Sequence, residues 1–156
     1  MDRHTCRIVV IRVLYQLDIN RQFNVEDELL DSAIAYAIDP LNEEELPLNL
    51  EEYNCSQSEY DYIKETIKNI NKKQIDLDII INRNLEGYTL ARINFVDKAI
   101  IRLATYELSL KDIAHTIVIN EALELTKEYS NLDDGLQVKF NNRLLDKIYQ
   151  DLSNEQ

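Results

Sequence analysis

Two short rows of basic residues and two aromatic side chains are what this 156-residue chain offers for chemistry. Arg3 and Arg7 stand four apart near the start, so on a helix they share a face. Lys139, Arg143 and Lys147 repeat that spacing near the end as an unbroken basic row. Such groups neutralise phosphates, a contribution that tolerates any base sequence and weakens with salt. Tyr15 and Phe140 add ring faces on which unpaired bases stack. Plainer readings compete. The arginines fit a solvated helix end, and the basic row fits the wet face opposite Phe140 and Leu144. Both aromatics fit core packing, Tyr15 with its hydroxyl left outside. On residues alone, the plainer reading leads for the arginines, the basic row and both aromatics.

Other chemistries find less support. His4 and Cys6 are two apart with no third ligand nearby, and His115 stands alone before a helix. Asp76/Asp78 and Asp133/Asp134 are carboxylate pairs without a companion nucleophile. No glycine-rich phosphate loop is present. No catalytic residue, metal site or cofactor is therefore assigned. Cys6 and Cys55 form no redox or metal motif and read as free thiols of a reducing compartment, a single disulfide being the alternative. The stretch from Arg7 to Leu17 imitates a signal-peptide core, but Arg12 interrupts it, Asp18 ends it and no small-residue cleavage site follows. No stretch is long and apolar enough to span a membrane, and the expected location is the cytoplasm.

The net charge of −12 looks hostile to nucleic acid, but it sits in one segment. Asp18 to Asp61 holds 13 acidic residues and one basic, Arg21, and the rest of the chain is balanced. Exposed charges more than about 8–10 Å apart are largely screened at physiological salt, so an anion can bind elsewhere. The acidic segment reads as a solubilising surface, with recruitment of a basic partner as the alternative.

The elements that must position these residues are helical. Two glycines and two prolines are too few for an all-β chain with many turns, and long periodic stretches run between them. A first helix is expected over Arg3–Leu17. A second follows Asn24 as N-cap, with Leu29, Leu30, Ala33, Ile34 and Ala37 facing the core, and ends at Pro40. Residues 39–54 read as an acidic loop with one short turn. Ser56 and Glu59 form a capping box that opens a third helix. A fourth spans about Lys73–Leu85 with Ile75, Ile79 and Ile80 inward and Ile81 as a further candidate. Glu86-Gly87-Tyr88-Thr89 breaks the chain into helical halves, 1–86 and 89–152. The centre, Asn94–Ser130, is two helices joined by a short loop. The first is apolar except for a stripe of Lys98, Arg102, Thr105 and Ser109, so it belongs in the middle of its domain. After a polar loop at 131–136 comes a last helix with Phe140, Leu144, Ile148 and Leu152 at i+4 spacing. The fold class is all-α, about seven helices in two packed halves of one domain, 1–156.

Three segments now carry a resemblance. Arg7 with Val13-Leu14-Tyr15-Gln16, the run from Val96 to Leu108 followed by Val118 to Lys127, and Lys139-Phe140, Asn142 and Leu145-Asp146-Lys147 are similar in order and spacing to the NusB family of bacterial transcription antitermination factors. The match covers the first helix and about Thr89 to Tyr149. The resemblance implies a two-part all-α fold, no catalysis, and binding of boxA-type single-stranded RNA from ribosomal RNA leader transcripts. It implies joint action with NusE, a small-subunit ribosomal protein, on the elongating RNA polymerase. By position, RNA contacts fall to Arg3, His4, Arg7, Tyr15, Lys139, Phe140 and Asn142. Asp97 falls at the NusE surface, with an ion pair inside its own chain as the equal alternative, while Arg102 and Glu107 hold the central helix. Arg143 stands where the family usually has glycine, which adds a candidate phosphate contact. Thr5 and Cys6 thin the N-terminal basic cluster. The alternative is a helical protein–protein adaptor that keeps the fold without RNA binding. The RNA-binding domain of a ribosomal RNA methyltransferase, a third reading, requires a following catalytic domain.

Overall fold

Seven α-helices and no strand are found among the described residues, which are 1–41, 48–130 and 134–155 of a computed structural model. The all-α expectation is met. The helices group into two compact units, Met1–Lys72 and Lys73–Gln156. The break at Glu86–Thr89 is thus a bend inside the second unit, because the helix before it packs on later helices of that unit.

In the first unit α1 (Arg3–Ile19) packs against both α2 (Asp27–Ile38) and α3 (Gln57–Lys72). The Asp2 carboxylate caps α1 by accepting from the Thr5 amide at 2.7 Å. Val10, Val13, Ile34, Ile63, Ile67 and Ile70 are completely buried, each worth roughly 1.5–3 kcal/mol relative to exposure. The capping box forms as expected: the Ser56 amide donates to Glu59 at 2.9 Å, and the Glu59 amide donates to the Ser56 hydroxyl at 3.1 Å. Two expectations for α2 need correction. It starts at Asp27, with Glu26 rather than Asn24 at the cap and no side-chain cap bond. Tertiary contacts hold the start of the helix instead: Lys68 reaches Asp27 at 3.2 Å, and Lys64 reaches Asp31, one turn on, at 3.0 Å. Leu29 faces outward, while Leu30, Ile34 and Ala37 form the buried i, i+4, i+7 stripe. Arg12 donates to the Ala37 carbonyl at 3.1 Å, supplying the cation that the end of α2 lacks in its own sequence. The described part of the 39–54 segment contains the expected short turn, a 3-10 helix at Leu50–Tyr53. Residues 42–47 lie outside the described residues. Cys6 and Cys55 are free and buried, and burial pushes both thiols up, so they stay protonated.

The second unit comprises α4 (Gln74–Arg83), a 3-10 turn at Leu90–Arg92, α5 (Phe95–Leu110), α6 (His115–Tyr129) and α7 (Leu136–Ser153). The central helix α5 packs on α4, α6 and α7, the position its apolar surface demands. Burial goes further than its polar stripe implies. Thr105 is completely enclosed and donates its hydroxyl to the Ile101 carbonyl at 2.7 Å. Arg102 is 8% exposed and grips Asp78 of α4 with two parallel bonds, Nε to Oδ1 at 2.9 Å and Nη2 to Oδ2 at 3.0 Å. That clamp sets the rotation of α4. Leu77 and Ile81 turn inward, whereas Ile75 and Ile79, expected inside, are 78% and 54% exposed. Gly135 opens α7 at φ +84°, a left-handed backbone that glycine adopts without strain.

Candidate nucleic-acid interface

In the first unit the expected RNA-facing residues do not share one surface. Arg3 is exposed at the open end of α1, its guanidinium 3.9 Å from the centre of the Tyr62 ring. His4 beside it is half-buried. Arg7 is 4% exposed, because one turn further along α1 the helix has entered its packing against the other two. The shared face predicted for Arg3 and Arg7 therefore runs from solvent into the interior, and Arg7 presents no phosphate contact. Tyr15 is 39% exposed, twelve residues and so about 18 Å along the axis from Arg3.

In the second unit the basic row and Phe140 lie on α7. Lys139, Asn142 and Arg143 are exposed, while Leu144, Ile148 and Leu152 of the i+4 row are buried with Asn141 and Leu145. Phe140 is half-buried. Its ring stacks on Tyr88, with centroids 5.9 Å apart and planes 22° from parallel. Lys147, the last of the basic row, bonds Glu86 at 2.9 Å. That hydrogen bond, reinforced by the charges of Lys147 and Arg143, holds the Glu86 carboxyl below the usual range. Two clefts adjoin Phe140. One of about 450 Å³ runs past Tyr88 and Arg92, and one of about 160 Å³ past Glu86, Arg143 and Lys147. Tyr88 and Arg92 were not among the expected site residues. Their signal was an aromatic side chain beside glycine in a chain break, which on sequence reads as a turn.

Asp97 is the clearest correction. It was expected at a partner surface, yet its exposure is zero. Its carboxylate accepts from Asn94 Nδ2 at 2.6 Å, the Ser130 hydroxyl at 2.6 Å and Asn141 Nδ2 at 3.1 Å. Asn94 also caps α5, accepting from the Asp97 amide at 2.9 Å, and Asn141 reaches Thr126 at 3.0 Å. The group ties the start of α5 to α7 and to the end of α6, inside the unit. Arg102 plays the structural part expected of it.

The residues weighed for catalysis are occupied elsewhere or unsupported. Asp78 is clamped by Arg102, and His115 lies face to face with Tyr149, ring centroids 3.7 Å apart. Asp133 lies outside the described residues. Among the described residues no three His, Cys, Asp or Glu side chains gather as a metal site, and no helix is long and apolar enough to cross a membrane.

Comparison with known proteins agrees with this architecture. The model of the NusB family matches residues 4–150. A transcription antitermination protein NusB from Acetivibrio thermocellus is 34% identical over 149 residues, 95% of this chain and 88% of that protein. The solved NusB of T. maritima superposes with a TM-score of 0.74 at 30% identity, covering 96% of this chain and 92% of its own. A chain from a solved complex of the antitermination factors NusB and NusE with dsRNA superposes with a TM-score of 0.70 over 97% of this chain and 99% of that one. Its 24% identity makes the likeness one of fold. A family match running through both compact units, joined by relatives at 30% identity or above, places this chain in the NusB family.

Proposed function

We propose that the chain is a transcription antitermination factor that binds boxA-type single-stranded RNA jointly with NusE and acts on the elongating RNA polymerase. The observation that carries this reading is the family match over residues 4–150. The fold neighbour solved with NusE and dsRNA supports both classes of partner. Action is by binding alone, without catalysis, in the cytoplasm where transcription proceeds. Arg3, His4 and Tyr15 contribute from the first unit, and Lys139, Phe140, Asn142 and Arg143 from the second. Arg3, Lys139 and Arg143 hold phosphates, and the half-exposed rings of Tyr15 and Phe140 receive unpaired bases. Arg7 and Asp97, both buried, support the fold instead. NusE docks on a surface other than the Asp97 carboxylate.

A gel shift with boxA-type RNA and a scrambled control, each with and without NusE, tests the proposal. Selective binding that tightens with NusE is expected. Binding of NusE but of neither RNA selects the adaptor reading instead, and binding of neither partner removes both.

A further inference from the structure

The cations of the second unit differ in what holds them, and Lys73 and Lys98 lie over the rings of Tyr106 and Phe95. Arg83, Arg102, Lys127 and Lys147 are each tied to a carboxylate. The side chains of Arg92, Lys139 and Arg143 are exposed and, like that of Lys111 elsewhere on the unit, make no hydrogen bond or ion pair with another described residue. All three adjoin Phe140: Arg92 and Arg143 line its two clefts, and Lys139 precedes it in α7. In a chain of net charge −12 this is a local excess of positive charge beside a stacked aromatic pair. Among the described residues no carboxylate lines the larger cleft, and the one lining the smaller, Glu86, is bonded to Lys147.

The cleft sizes separate two roles. The open cleft of about 450 Å³ falls within the range that takes a small organic group such as a nucleobase. The cleft of about 160 Å³ is too small for that, and its Arg143, with Lys147 already bonded to Glu86, suits a phosphate. The two amides lining the larger cleft are already committed. Asn94 bonds Asp97, and Gln137 donates to Asn141 at 2.9 Å. What the cleft offers a base is therefore a ring face and a charge rather than groups that read its edge.

We propose that Tyr88 and Phe140 form a stacking platform for an unpaired nucleotide of the RNA. Arg92 takes a phosphate beside the larger cleft, Arg143 takes a phosphate at the smaller, and neither cleft reads base sequence. The inference rests on the RNA-binding reading above and adds Tyr88 and Arg92, from the 3-10 turn region before α5, to the binding residues. It commits to where discrimination does not come from: this platform adds affinity, and sequence preference arises elsewhere.

The test is fluorescence-anisotropy titration of boxA-type RNA and its scrambled control against the full chain with NusE, at several salt concentrations. Tyr88→Leu should weaken both RNAs by a similar factor, about tenfold, leaving their affinity ratio unchanged. Tyr88→Phe should bind as the parent does. Arg92→Gln should lower the slope of log affinity against log salt by about 0.7, the value for one phosphate on a single strand. Lys111→Gln, at an exposed cation away from both clefts, should leave the slope unchanged. Arg92 is exposed, so its variant reads out binding even where Tyr88→Leu disturbs folding. Parent-like affinity and slope in both Tyr88→Leu and Arg92→Gln overturn the inference while leaving the RNA-binding reading intact. So does a Tyr88→Leu defect confined to one of the two RNAs, or a defect confined to NusE binding. Failure of the parent protein to bind either RNA overturns both together.

Discussion

Replacing Asp97 by asparagine separates a structural carboxylate from a partner-facing one. The side chain keeps its shape and loses one acceptor oxygen and the charge. Oδ2 accepts from both Asn94 and Ser130, and Oδ1 accepts from Asn141. The remaining oxygen serves best at the Oδ2 position, which turns the new amide nitrogen toward Asn141 Nδ2, donor against donor. Asn141 has no exposure, so no water relieves that mismatch, and it costs about 1–3 kcal/mol. The two retained bonds lose their charge assistance, which is roughly half their strength. A neutral group in the first turn of α5 also gives up about 0.5 kcal/mol of interaction with the helix dipole. Together the change should destabilise the protein by about 3 kcal/mol. For a chain of this length that lowers Tm by roughly 6–12 °C. Circular-dichroism melting measures it, and urea titration should show a lower midpoint at unchanged m. NusE affinity, measured below the transition, should stay within twofold of the parent. A Tm within 2 °C of the parent together with weakened NusE binding would refute the reasoning and return Asp97 to the partner surface. Asp97→Asn combined with Ser130→Ala should depart from additivity by more than 0.5 kcal/mol, because the two side chains touch.

Other outcomes follow from the same geometry. Arg102→Lys should destabilise by about 2 kcal/mol despite keeping the charge, since an ammonium cannot make the two parallel bonds to Asp78; chemical denaturation reads this. Leu77→Ala should cost about 2–5 kcal/mol in the same assay, while Ile79→Ser, on the exposed side of α4, should stay within about 0.5 kcal/mol. The Glu59 carboxyl is held at about 2 by the Ser56 amide first and then the Met1 amino group. Its folded pKa lies below its unfolded value, so its contribution is present above about 4.5 and disappears as pH falls toward 2. Glu59→Gln should therefore flatten the acid limb of the stability profile in that window and leave the neutral side's slope unchanged. Arg143→Gly should reduce the salt slope of RNA binding by about 0.7, and an unchanged slope removes Arg143 from the phosphate contacts.

What could be read from residues alone follows from how many faces of a helix compete for the core. In α3 one stripe of isoleucines is apolar and the capping box fixes the start, so local rules suffice. In α4 isoleucines lie all round, periodicity leaves the rotation open, and the Asp78–Arg102 clamp decides it from 24 residues away. In α5 the polar stripe is real as a pattern but wrong as a statement of exposure. Thr105 satisfies its hydroxyl within the helix, and Arg102 and Asp97 find partners on other helices. A polar residue on a greasy helix signals a need for a partner, and water is only one candidate. The same logic governs the interface. Arg3 and Arg7 are equivalent by spacing, yet packing buries the second and leaves the first. Tyr88 and Arg92 sit in a stretch whose glycine announces a turn, and a turn's side chains have no periodicity to betray their direction. Only the stacking on Phe140 shows that the turn aims an aromatic ring at α7. Residues that bind a flexible strand are therefore the hardest to read, because exposure rather than pattern qualifies them. The residues that identify the family are the easiest, because the core requires them.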